Sequence, residues 1–161
     1  MPTPALPVAF TSRVYGYSIV VPGGWAVGPA ALHWDAASSP GHSDPVVDKF
    51  ASPSDVSAFA FAGPVTVDLA GFVKATIAWT VRDHGDTCPA TAPEKIEPIE
   101  IGGEPGMLLS WNCGILVNDA VLVRDGTGFV LVMRDPSVAA ATDPADRALL
   151  EALLNSVKFP T

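Results

Sequence analysis

Two apolar runs on either side of one turn constrain this chain more than anything else in it. Ala120-Val-Leu-Val-Arg and Phe129-Val-Leu-Val-Met flank Asp125-Gly126-Thr127-Gly128. Asp and Gly accept the positive φ that a tight hairpin demands, and the β-branched and aromatic arms favour extended backbone. Neither arm alternates apolar with polar, so neither face can be left to water. Such a hairpin belongs near the centre of a sheet that is covered on both sides.

The flanking sequence supplies the cover and the neighbours. Tyr15 to Val21 reads as a strand, with Tyr17, Ile19 and Val21 on one heavy face, stopped by Pro22-Gly23-Gly24. Trp25 to Val27 and Ala31 to Asp35 read as a second, broken strand in which Leu32 and Trp34 share a face. Val46 to Ser52 and Val56 to Ala62 form a strand pair around Ser52-Pro53-Ser54-Asp55, with Ser57, Phe59 and Phe61 opposite a face of small residues. Glu94 to Ile101 and Met107 to Cys113 make two more strands joined at Gly102-Gly103. Thr66 to Asp83 has the three- and four-residue spacing of a helix through Leu69, Phe72, Val73, Thr76, Ile77 and Thr80, with Thr66 or Asp68 as cap and Gly85 at its end. A second helix runs from Pro144 to about Val157, capped by Asp143 and carrying a leucine stripe.

The order strands, helix, strands, helix lacks strict β-α-β alternation. It predicts an α+β fold in which a mainly antiparallel sheet is sandwiched by helices on opposite faces. A length of 161 residues suits one domain. We place it over residues 15–161, behind a Pro-rich leader over residues 1–14 that contains Pro2, Pro4 and Pro7. The leader has neither the basic nor the apolar region of a signal peptide. Two placements follow: an exported protein that has lost its signal, or a cytoplasmic protein with a short disordered start.

Charge narrows the partners. Seventeen acidic against nine basic residues give a net charge of −8, and the cations are scattered from Arg13 to Lys158. A nucleic-acid backbone or an anionic lipid surface would be repelled. No apolar run reaches the roughly 18 residues of a transmembrane helix.

Candidate chemistry is sparse. Cys88 and Cys113 are too few for a structural zinc site and are not in a C-x-x-C arrangement, which leaves a disulfide or two buried thiols. We take the disulfide as the expectation. It would stabilise the fold by about 3 kcal/mol on the chain-entropy model and would point to an oxidising compartment. His84 lies four residues before Cys88, so a thiol enzyme is the competing use of that sulfur. His33, Asp35, His42, Asp44 and Asp48 gather around one loop and could offer imidazole and carboxylate to a cation, but their spacing matches no metal-binding motif. Trp25, Trp34 and Trp111 are candidates to line a ligand cleft, although in a domain of this size tryptophans are more often core or core-edge residues. Glu94, Glu97 and Glu100 read as a solvated face. No nucleophile elbow, zinc-protease helix or phosphate-binding Gly loop is present, and no cofactor is implied.

The chain resembles the PsbP-like group, which includes extrinsic photosystem proteins, the Ran-binding Mog protein and secreted bacterial lipoproteins. The resemblance runs from about Tyr15 to Phe159. It rests on YGYSIVVPGGW, on FASPSD, on a helix followed by a Cys-containing loop, on IEIGGEPGMLLSWNC, on the apolar hairpin and on the closing NSVKF. It implies an α/β/α arrangement, export, and a non-enzymatic role as an accessory or binding module. The expectation is therefore a monomeric extracellular or envelope-associated domain recognising a protein or envelope component. A small-molecule or divalent-metal carrier is the alternative, and an enzyme the remaining one.

Overall fold

The computed structural model describes residues 3–138 and 143–161; Met1 and Pro2 of the leader lie outside the described residues. Along the chain come β1 (Val8–Thr11), β2 (Ser18–Val21), β3 (Ala26–Gly28), β4 (Asp48–Ala51), β5 (Ser57–Pro64), α1 (Leu69–His84), β6 (Lys95–Ile101), β7 (Glu104–Asn112), β8 (Leu116–Arg124), β9 (Thr127–Asp135) and α2 (Pro144–Asn155). Strands β3 to β9 form one seven-stranded sheet in the order β3-β4-β5-β9-β8-β7-β6, and β1 and β2 pair separately. Every pairing is antiparallel. The apolar hairpin is β8–β9, and β9 is the central strand of the sheet. Its turn needs only two residues, Asp125 (φ 50°) and Gly126 (φ 75°), with Arg124 opposite Thr127. Left-handed conformation at both positions matches the twist of the arms.

Each central strand feeds two cores. On one face Val121, Val130 and Val132 pack with Phe59, Phe61 and Leu109 under Phe72 and Val73 of α1. On the other, Ala120, Leu122, Leu131 and Met133 pack under Leu150, Leu153 and Leu154 of α2 and under Ile19 and Val21 of β2. The helices therefore lie on opposite faces, and the β1–β2 hairpin shares the second face with α2. The small face of β5 (Ala58, Ala60, Ala62) lies in this second core. Helix α1 is capped by Asp68, whose carboxylate accepts from Gly71 N at 2.9 Å. Asp143 caps α2 through Ala145 N and Asp146 N.

Several local readings change. The first domain strand starts at Ser18, because Gly16 (φ 82°) turns the chain and donates to the Ser12 carbonyl. Within the leader, Val8–Thr11 pair with β2 and Phe10 packs against its core, so the ordered fold begins ahead of Tyr15. The stretch from Ala31 to Asp35 is not a strand. Ala31 and Leu32 donate to the Pro45 carbonyl, Trp34 N donates to the Tyr15 hydroxyl, and Ala36 adopts φ 57°. Leu32 is consequently exposed and Trp34 buried. Gly85 closes α1 in right-handed conformation (φ −57°), since the chain keeps turning until Cys88 N reaches the His84 carbonyl.

Helix α1 sits close to the sheet over Gly128, while Gly63, its partner across β5 and β9, leaves room for the Trp34 ring. A Cβ on Gly128 would lie 2.7 Å from the Phe72 ring, which is fully buried and has nowhere to retreat. Gly128→Ala should therefore cost about 1–3 kcal/mol through overpacking. Urea unfolding checks this: the midpoint falls with an unchanged slope, and an unshifted midpoint would contradict this packing.

Candidate functional site

The cover over the α1 face of the sheet is incomplete. Beyond the C-terminal end of α1 a cleft of about 270 Å³ opens between that helix end, the Ser39–His42 loop and the exposed part of β7, β8 and β9. Its floor is apolar and comes from the period-2 geometry of the strands: Phe59, Trp111, Val117 and Val132 all point to this side. One wall is the Cys88–Cys113 disulfide, with S–S 2.02 Å and Cα–Cα 4.4 Å. The sequence left a bridge and two thiols open, and here the sulfurs are joined.

Three contacts from the last turn of α1 hold the opposite loop in place. Arg82 Nη2 donates to the Ala37 carbonyl at 2.9 Å. Asp83 accepts from Ser39 N at 2.8 Å, and His84 Nε2 donates to the Ser39 carbonyl at 2.7 Å. The Arg82 guanidinium and the Ser39 amide hold the Asp83 carboxyl down at about 2. His84 thus builds the wall of the cleft, and its neighbour Cys88 carries no free thiol, so the pairing a thiol enzyme needs is not made.

The buried polar group of the floor is Asp119, which is 4% exposed. Its Oδ2 accepts from Trp111 Nε1 at 3.0 Å, and no second protein donor reaches the carboxyl among the described residues. Desolvation pushes it up to about 7, against the modest opposing pull of the Trp111 bond. At the mouth stands Arg134, whose Nη1 donates to His42 Nδ1 at 3.2 Å. Burial, and then the neighbouring Arg134 charge, push the His42 imidazole below its usual range.

The three tryptophans do not share one cleft. Trp111 lies in the floor, bonded to Asp119. Trp34 packs edge-on against Phe61 and Trp79 beneath α1. Trp25 is on the other face of the sheet, against the second core. The five metal candidates are also dispersed. His33 packs edge-on to Tyr15, Asp35 accepts from Ala37 N, and Asp44 accepts from Gly41 N. Asp48 is buried on β4, where Tyr17 Oη and Ala30 N each donate to it at 2.8 Å. Among the described residues no three His, Cys, Asp or Glu side chains lie close enough to hold a metal ion. Of the Glu triplet, Glu97 departs from the solvated reading: it pairs with Lys95 and with Arg147 of α2.

Sequence reading missed Asp119 and Arg134. The signal was present, because a carboxylate in Leu116-Val-Asn-Asp-Ala-Val-Leu-Val has no solvated face to occupy. A second buried acid, Asp146, is raised to about 7 by burial and then by Asp135 beside it. On Asp135 burial acts upward, but hydrogen bonds from Ser137 and Asp146 outweigh it and hold that carboxyl low.

These acids make stability depend on pH in a defined direction. Asp119 keeps its proton to about 7 when folded and loses it near 4 when unfolded, so its contribution is complete below about pH 4 and is lost as pH rises through about 7. The loss between about pH 5 and about pH 8 is about 2–3 kcal/mol for this one group. Asp119→Asn keeps an acceptor for Trp111 Nε1 and removes the proton. Its unfolding free energy should fall less over that interval by that amount, and equal pH slopes for parent and variant would contradict the assignment.

No family model matches the chain, and no curated protein matches it in sequence. Solved structures do. The solution structure of cyanobacterial PsbP (CyanoP) from Synechocystis sp. PCC 6803 superposes with a TM-score of 0.62 at 12% identity, covering 97% of this chain and 94% of that one. A crystal structure from Bacteroides thetaiotaomicron VPI-5482 superposes with a TM-score of 0.54 at 9% identity, covering 99% of this chain and 50% of that one. At these identities the likeness is one of fold, and the fold of this chain is PsbP-like α+β.

Proposed function

We propose that this chain is a non-enzymatic accessory or binding domain that works outside the cytoplasm. The observation that carries the reading is the Cys88–Cys113 bridge. It removes from the cleft the one strong nucleophile in reach of a histidine, and bridges of this kind persist in oxidising compartments. The PsbP-like fold supports an accessory role in the same direction, and no described helix is long and apolar enough to cross a membrane. Outside the cleft both faces of the sheet are covered, so a protein or envelope partner would be met by loops and sheet edges. The domain is read as a monomer. The second reading, a small-molecule carrier, is favoured by the cleft above Asp119.

Thiol titration in denaturant without reductant, on protein from its native host, tests the reading. We expect no free thiol, and two free thiols would overturn both the bridge and the placement. Replacing both cysteines by Ser should lower stability by about 3 kcal/mol on the chain-entropy model.

A further inference from the structure

The cleft combines three features that no part of the proposed accessory role uses: an apolar floor, a buried carboxyl and a cationic mouth. Its volume, about 270 Å³, falls below the roughly 300–1,000 Å³ of sites for drug-sized molecules, so its ligand is small. Among the described residues the Asp119 carboxyl has one protein hydrogen bond and no protein cation against it. A buried carboxyl left in this state is complemented by a ligand that brings a positive charge and N–H donors. The mouth asks for the opposite sign. Arg134 offers one N–H to His42 and keeps the rest of its fork for something else. Asp119 lies opposite Val132 in the ladder, and Arg134 follows two residues later on the same face. That diagonal separates the two backbone positions by about 7–8 Å, which the long arginine side chain shortens. A purely cationic ligand would be repelled at the mouth, and a purely anionic one would meet Asp119 below.

We propose that this cleft binds a small apolar α-amino acid, its ammonium on Asp119, its carboxylate at Arg134 and its side chain on the Trp111 floor. The inference rests on reading the chain as a binding domain and adds the class of ligand. On binding, an ammonium takes the place of the proton on Asp119, and that proton goes to solvent. The charged and titratable groups facing Asp119 across the cleft are His84 from α1, His42 from the loop and Arg134 from β9. Burial, and then the Arg134 charge, hold the His42 imidazole below its usual range, and His84 is engaged through Nε2 with Ser39.

Calorimetry on the full chain with L-phenylalanine and L-leucine tests the proposal. We expect one site, a Kd about tenfold weaker at about pH 6 than at about pH 8, and release of close to one proton at the lower pH, read from buffers of different ionisation enthalpy. Phenethylamine, without the carboxylate, and 3-phenylpropionate, without the amine, should each bind at least tenfold more weakly than phenylalanine. Arg134→Gln should weaken phenylalanine and, by removing the repelling charge at the mouth, tighten phenethylamine, while Asp119→Asn should remove the pH dependence. Absence of saturable binding at millimolar amino acid would overturn the proposal. So would phenylpropionate binding as well as phenylalanine, or a Kd for the parent protein that does not move with pH. The pH series needs no variant and stands if Asp119→Asn fails to fold. The thiol titration is independent of these results, so failure here leaves the accessory reading to be judged on its own.

Discussion

Burial of the β8–β9 hairpin on both faces is the constraint on which the remainder of the structure depends. Val121, Val130 and Val132 demand cover on one side, Ala120, Leu122 and Leu131 on the other, and no single helix can supply both. The chain answers with α1 over the first face, and with α2 and the β1–β2 hairpin over the second. Gly128 lets α1 descend until Phe72 touches the sheet backbone. The cleft is a by-product of that arrangement. Helix α1 ends at His84 while the sheet continues, and the chain returns to it first through the Cys88–Cys113 bridge and then as β6 at the sheet edge.

Buried acids show how one fold settles the same electrostatic problem in different ways. Asp48 is satisfied by the Tyr17 hydroxyl and the Ala30 amide, and serves to fix β4 against the segment before it. Asp146 sits beside Asp135 where β9 meets the first turn of α2, and the two carboxyls divide between them one high and one low proton affinity. Asp119 has only the Trp111 indole, and it opens on the cleft. The first two are accounted for by architecture. The third is the one that the proposed ligand would complete.

Much of the fold was legible because periodicity records burial directly. The two-faced apolar arms announced a central hairpin, Asp143-Pro144 and the leucine stripe announced α2, and Phe59 and Phe61 opposite three alanines announced the asymmetry of β5. The segment from Ala31 to Asp35 was not legible, since its conformation is set by Tyr15 and Pro45, which are remote in sequence. The site was less legible still. Trp25, Trp34 and Trp111 share chemistry but not a face, and the loop acids share a neighbourhood in sequence but not in space. Arg134 and His42 meet across 92 residues, a pairing created where the His42 loop folds over β9. Asp119 could have been found by asking which charged residue had no face to occupy.

The central claim is that the cleft is built over a carboxyl that burial keeps protonated near neutrality. Carbon-detected NMR titration of the aspartate carboxyls, assigned through Asp119→Asn, measures it directly. The account predicts an Asp119 midpoint near 7. A midpoint near 4, the ordinary value for an aspartate in water, would contradict it.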